Sequence, residues 1–188
     1  MTRSDWESLN GHKGAVLWFT GLSGAGKTTL ARNVEEGLVK QGIRSVVIDG
    51  DQLRQGLNAD LGFSDEDRME NMRRAAEVST MFLNQGFVVL VSMISPSSEA
   101  REEIRRRFSP GDYAEIYVKC SIEACEKRDP KGLYQKVRRG EIRGFTGIDA
   151  IYEPPVFAEL TVNTEDNDLE CCVSKLMDYI IHNYALMA

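Results

Sequence analysis

The sequence has 188 residues, 42% hydrophobic and 28% charged, with a formal net charge of −6. That length is most simply one domain able to bury a substantial core without metals or disulfides, and the acidic balance excludes a general affinity for nucleic acid, which needs a basic surface. The stretch 1–14 carries Arg3, Asp5, Trp6 and Glu7 and no apolar run, so it reads as an N-terminal extension and not as a signal peptide or anchor. Apolar runs such as Phe87–Val91 fall far short of the roughly 20 residues that cross a bilayer, so a soluble, cytoplasmic protein with no membrane partner is expected. Cys120, Cys125, Cys171 and Cys172 lack any C-x-x-C spacing and two are adjacent, which predicts reduced packing residues.

In chain order, the first predicted strand is Ala15–Thr20 (AVLWFT), running directly into "GLSGAGKTT". Leu30, Val34 and Leu38 then recur at helical spacing up to a stop near Gly42. Ser45–Ile48 is the second strand, Phe87–Met93 the third, Tyr113–Lys119 the fourth and Leu160–Asn163 a weaker fifth. Helical periodicity fills Asp65–Asn84, Ser97–Arg107, Ser121–Arg128 and Asp168 to about Tyr184. This alternation predicts an α/β fold, a parallel five-stranded sheet with helices on both faces, with ligands at the carboxyl ends of the strands. The stretch 129–155, rich in Gly, Pro and basic residues, reads as one long irregular segment and hence as a mobile lid.

Gly21-x-x-x-x-Gly26-Lys27-Thr28 fits the P-loop pattern and lies in the strand-to-helix context that pattern requires. Backbone N–H groups of Gly21, Leu22, Ser23, Gly24, Ala25, Gly26, Lys27, Thr28 and Thr29 are candidates to cradle phosphates at the positive end of the following helix. Lys27 should reach the β- and γ-phosphates of ATP or GTP, and the Thr28 hydroxyl should bind Mg²⁺. "VVIDGDQLRQGLN" sets Asp49 and Asp51 at the end of the second strand, where one carboxylate could hold magnesium through water and the other accept a proton from an attacking hydroxyl. Asp51 is taken with Thr28 as the metal pair. Arg54 follows, and "GFSDEDRMENMRR" brings Phe63, Arg68 and Asn71 around a helix start, with Arg68 and Asn71 three apart on one face and thus able to meet one anion. Ser64 and Asp67 have capping spacing, while Arg73 and Arg74 read as structural.

Together and in this order, "GLSGAGKTTLA", "DGDQLRQGLNADLGFSDEDRMENMRR", "ISP", "RDPKGLY", "GEIRGFTGID" and "YEPP" resemble the adenylylsulfate kinase family, from about Lys13 to Tyr179. The resemblance implies transfer of the γ-phosphate of ATP to the 3′-hydroxyl of adenosine 5′-phosphosulfate, giving 3′-phosphoadenosine 5′-phosphosulfate for sulfate activation and assimilation. It implies that Phe63 and Phe145 grip the substrate adenine and that Arg54, Arg68 and Asn71 meet the phosphosulfate. Lys131 matches a lid lysine, with Gly132, Leu133 and Gly144 in the same substrate-contacting stretches. Arg128 matches a residue lying against the ATP adenine, in a pocket completed after Thr164, while Ile94 and Ser95 match positions lining the sulfate-nucleotide site.

The family has been described with the serine at position 95 as a phosphorylated intermediate. No obvious base neighbours Ser95 in the sequence, so direct transfer is favoured, with Asp51 as base or magnesium partner and Lys27 and Lys131 neutralising charge. Gln52 stands where the family usually has asparagine, and Ser97 and Ser98 where a large and a basic residue often follow the proline. The family implies a homodimer and an association with ATP sulfurylase. Two alternative readings are another small-molecule P-loop kinase, and a non-catalytic regulatory domain binding the product nucleotide, which would be expected to lose the lysine present here as Lys27. A GTP switch should carry an N-K-x-D segment, and none occurs.

Overall fold

The computed structural model describes residues 1–185. In chain order its elements are α1 (Arg3–Asn10), β1 (Ala15–Thr20), α2 (Lys27–Lys40), β2 (Ser45–Asp49), α3 (Gly50–Leu53), α4 (Asp65–Leu83), β3 (Val88–Ser92), α5 (Ser98–Arg105), β4 (Tyr113–Lys119), α6 (Ile122–Arg128), α7 (Leu133–Arg138), β5 (Leu160–Asn163) and α8 (Leu169–Tyr184). The strands form one parallel sheet in the order β2-β3-β1-β4-β5.

Alternation along β1 explains the layers. Ala15, Leu17 and Phe19 enter one apolar core with Leu30, Val34 and Leu38 of α2 and Leu176 and Ile180 of α8. Val16 and Trp18 point the other way, against Met72, Ala75 and Ala76 of α4 and Ile104 of α5. Every residue of β1 is buried, as a strand covered on both faces should be. The central strand thus delivers the loop after Thr20 to the middle of the sheet's carboxyl edge, where crossovers depart to either side and a crevice opens.

All five predicted strands are present, each within a residue or two of its expected bounds. Three helices were not anticipated. In α1, Thr2 and Asp5 form a reciprocal capping box, and Arg3 makes paired bonds of 2.6 and 2.7 Å to Asp112, so the N-terminal stretch is pinned to the turn before β4. In α3, Asp49 accepts from the N–H groups of Asp51 and Gln52 and so starts a helical turn directly off β2. The third, α7, corrects the reading of 129–155 as irregular throughout. Gly132 takes a left-handed conformation (φ 64°), the Asp129 carboxylate accepts from the N–H groups of Tyr134 and Gln135 at 3.1 Å, and Tyr134 is buried as the anchor. Of the cysteines, Cys120, Cys125 and Cys172 are buried and free, whereas Cys171 is free and exposed and so is not a packing residue. At Ser64 the cap is one-sided: its hydroxyl accepts from Asp67 N–H at 3.1 Å, while the Asp67 carboxylate turns back to the N–H of Gly62.

Gly21 sits where β1 meets β4, with φ at 153°, and a Cβ built there would lie 2.5 Å from the Val118 carbonyl oxygen. Because that oxygen belongs to a strand, it cannot yield without disturbing the sheet. Gly21→Ala is expected to lower unfolding free energy by about 1–3 kcal/mol in chemical denaturation, an effect that Gly56→Ala, in open space, should not reproduce.

Candidate functional site

Three strand ends meet at the centre of the crevice. The Thr28 hydroxyl, on the first turn of α2, donates to Asp49 Oδ2 at 2.7 Å and lies 3.0 Å from Ser92 Oγ. Asp49 and Ser92 are register partners at the ends of β2 and β3, which is why both reach one hydroxyl. Lys27, almost wholly buried, donates to the carbonyls of Gly21 and Leu22, each at 2.8 Å, closing the loop on itself. Burial disfavours its charge and pushes the ammonium down to about 8, against a weaker pull from Asp51 and Asp49.

Asp51 lies on the exposed side of α3 and pairs with Lys131 from the segment before α7. Both side chains are more than half exposed, so the pair adds little stability and can exchange partners readily. Of the two carboxylates it is therefore Asp49, not Asp51, that stands on the Thr28 hydroxyl. Capping α3 fixes Asp49 inward and carries Asp51 around to the lid side.

One cavity of about 930 Å³ runs from this centre in both directions. On the β2–β3 side it is lined by Arg54, Phe63, Arg68, Asn71, Ile94, Ser95 and Phe145. Phe63 is 71% exposed, with the Arg54 guanidinium stacked over one face of its ring, 4.5 Å from the centre. Phe145 packs edge-on against Tyr134 at 5.0 Å. Arg68 and Asn71 both line the cavity but are held differently: Arg68 donates to Phe63 O, Thr146 Oγ1 and Gly144 O, whereas Asn71 is buried and accepts from Asn58 Nδ2. Ser95 is 3% exposed, takes a left-handed φ of 47°, and its Oγ accepts from Trp18 Nε1 at 2.9 Å.

On the opposite side Arg128 donates to Thr164 Oγ1 and to the Thr164 carbonyl, beside Asn167, Leu169 and Cys172 at the start of α8. The Thr164 hydroxyl in turn donates to Ala25 O at 2.7 Å.

Six of the residues expected at the site stand behind the cavity wall. Gly21, Leu22 and Ala25 shape the loop from beneath. Gln52 turns its amide oxygen toward Arg32, Gly132 caps α7, and Gly144 offers its carbonyl to Arg68. Conversely, Ser92, Met72, Met93, Thr146 and Leu169 line the cavity without having been singled out. For Ser92 a signal existed, since the last residue of the third strand must sit near the end of the second. Met72 and Met93 look in the sequence like any core methionine.

The family model for adenylylsulphate kinase matches residues 13–163. The chain belongs to the adenylylsulphate kinase family. An adenylyl-sulfate kinase of Shewanella amazonensis is 50% identical over 181 residues, 96% of this chain and 91% of that protein. A probable adenylyl-sulfate kinase of Bacillus subtilis is 47% identical over 180 residues, again 96% of this chain and 91% of its own length. The solved Mycobacterium tuberculosis APS kinase in complex with AMPPNP and APS superposes with a TM-score of 0.86 at 44% identity, covering 89% of this chain and 98% of that one. In this member of the adenylylsulphate kinase family the loop lysine and both carboxylates are present in one crevice.

The depressed Lys27 ammonium makes nucleotide binding pH-dependent. A phosphate group favours the charged form, so binding above the free-state value must take up a proton. Affinity for a nucleoside triphosphate should fall as pH rises past about 8, approaching tenfold per unit. Calorimetric titration in buffers of different ionisation enthalpy would register the proton uptake, and Lys27→Met should abolish it.

Proposed function

We propose that this chain transfers the γ-phosphoryl group of ATP to the 3′-hydroxyl of adenosine 5′-phosphosulfate, giving 3′-phosphoadenosine 5′-phosphosulfate and ADP. One observation carries the reading: a single cavity joins a phosphate-cradling loop at one end to an exposed phenylalanine flanked by two arginines at the other, with Asp51 between them. ATP enters with its phosphates in the loop 21–28 and its base toward Arg128, Thr164 and Leu169. The acceptor presents its purine to Phe63 and Phe145 and its anionic tail to Arg54, Arg68 and Asn71, for which guanidinium and amide donors are suited. Stacking contributes about 0.5–1.5 kcal/mol per ring beyond area burial.

The magnesium site fits the residues present. Thr28, Asp49 and Ser92 supply a cluster of hard oxygen atoms, and no trio of His, Cys, Asp or Glu competes for a metal among the described residues. This suits an ion that is held chiefly through phosphate oxygens and water. Thr28 and Asp49 would hold the ion, which would neutralise charge on the phosphate oxygens.

Transfer is direct. The acceptor hydroxyl displaces the Asp51–Lys131 contact, and the freed carboxylate takes the proton as the ribose oxygen bonds to the γ-phosphorus and ADP departs. Lys27 and the released Lys131 then sit against the charge that spreads over the transferring oxygens. Ser95 is poorly suited to act as a covalent carrier. One of its two lone pairs is engaged by Trp18, and among the described residues no carboxylate or imidazole contacts its hydroxyl, so it positions substrate by donating its own hydrogen. The segment 129–155 works as the lid of one catalytic domain and closes through Lys131 and Phe145. Self-association has an apolar strip to draw on, since Ile151, Val156 and Phe157 are each more than 80% exposed. Association with a sulfurylase is a further implication of family membership.

Incubation with magnesium, ATP and adenosine 5′-phosphosulfate should yield the 3′-phosphorylated product, with 5′-AMP and 3′-dephospho-coenzyme A poor as competing acceptors. Lys27→Ala and Asp51→Asn should each reduce turnover by about a thousandfold, whereas Ser95→Ala should keep activity to within about tenfold. A phosphoprotein trapped in the parent together with complete loss in the serine variant would replace direct transfer with a covalent route.

A further inference from the structure

The turn at Ser95 is held from behind by a residue outside the cavity lining. A non-glycine residue at φ 47° is strained and persists only where its surroundings over-determine it. Its neighbours do so on three sides. Trp18 Nε1 engages the hydroxyl, and the Thr20 hydroxyl donates to the adjoining Ile94 carbonyl at 2.7 Å. Arg101 Nη1 donates to the Ser95 carbonyl at 2.7 Å.

Arg101 does more than close this turn. Its Nη2 donates to the Glu153 carbonyl at 2.8 Å, and its guanidinium lies 5.9 Å from the Tyr152 ring centre. Tyr152 and Glu153 are where the chain returns from the lid, and they are stitched to the same turn twice more. Glu153 N–H donates to Pro96 O, and the Glu153 carboxylate accepts from Ser98 N–H. Arg101 is 3% exposed, and its Nε lies 2.5 Å from a Glu115 oxygen of β4 as an ion pair that is not aligned as a hydrogen bond, so charge holds the guanidinium beside the sheet while its two outer nitrogens each grip a different loop. A planar group with donors on two outer nitrogens reaches both carbonyls from that one place. A lysine ammonium at the same place could satisfy Glu115 and one carbonyl.

We propose that Arg101 is a positioning residue for the acceptor nucleotide: it holds the left-handed turn that aims Ile94 and Ser95 into the crevice and fastens that turn to the end of the lid, so that both shift as one unit. The inference rests on the acceptor reading above. Among the described residues, the loop 21–28 bonds to this turn only through the Gly21 N–H, 3.4 Å from the Ile94 carbonyl, and Arg128 stands at the opposite end of the cavity, so loss of Arg101 should be felt chiefly at the acceptor and much less at ATP.

The test compares Arg101→Lys, the double variant Arg101→Gln/Glu115→Gln, and Arg105→Gln as a control. The double variant removes both partners of the buried contact at once, which avoids leaving a charge stranded. Arg105 also lies near Glu115, at 3.5 Å, and pairs with Glu159, but bonds neither loop carbonyl. Both Arg101 forms should raise KM for adenosine 5′-phosphosulfate by about tenfold or more, the effect of losing a charged hydrogen bond, with KM for ATP within about twofold. Arg105→Gln should lower Tm while leaving both KM values within that margin. In the Arg101→Lys background, Ser95→Gly should cost less activity than in the parent, because glycine adopts positive φ without strain.

Equal changes at both substrates, an unchanged acceptor KM, the same effect from Arg105→Gln, or failure of both Arg101 forms to fold would each overturn the proposal and leave Arg101 a general scaffold residue. A parent chain that binds ATP yet phosphorylates no adenosine 5′-phosphosulfate would instead overturn the acceptor reading itself.

Discussion

A positive charge almost stripped of water organises this crevice. Among the described residues Lys27 is satisfied by two carbonyls of its own loop alone, so the cation that must meet phosphate also keeps the loop curled before phosphate arrives. Burial makes holding that charge costly. The same desolvation strengthens its attraction to an anion, because little water remains to be expelled when one comes. The rest of the fold serves this arrangement: β1 is buried on both faces so that its end is rigid, Gly21 brings the chain within reach of β4, and α2 begins at once so that its N–H groups point into the loop.

The segment between α6 and β5 is tied to that loop more closely than a surface excursion would be. Tyr134 is buried and donates its hydroxyl to the Ser23 carbonyl at 2.9 Å, while Phe145 rests on the Tyr134 ring and Arg68 spans from α4 to Gly144 and Thr146. The two ends of the cavity therefore share a mechanical element. A change in how α7 sits is felt at Ser23 on one side and at Phe145 on the other.

The sheet was legible because its signals are local and strong: β-branched and aromatic runs of strand length, each followed by helical spacing, with the glycine loop announcing the first crossover. The three unanticipated helices failed for different reasons. The capping box of α1 was readable but lay in a stretch without apolar periodicity. A single turn such as α3 has no period to detect, and α7 was masked by the glycines around it. Within the site, residues carried by motif were placed near the crevice, whereas Arg101 and Trp18 could not be found from sequence. Their partners at the turn are backbone carbonyls and one hydroxyl, which leave no mark on residue type. The exchange of Asp51 for Asp49 at the Thr28 hydroxyl is of the same kind, decided by which carboxylate caps a four-residue helix.

In the proposed transfer, the contact between Asp51 and Lys131 also bears on what happens when only one substrate is present. A carboxylate whose oxygen already holds an ammonium is a weak proton acceptor for a stray water molecule, and water is the nucleophile most abundant near any bound triphosphate. Occupying the proposed base until a ribose hydroxyl competes for it would tie consumption of ATP to the arrival of its intended acceptor. Futile hydrolysis would then be slowed by one exposed ion pair, with no need for a gate that excludes solvent altogether.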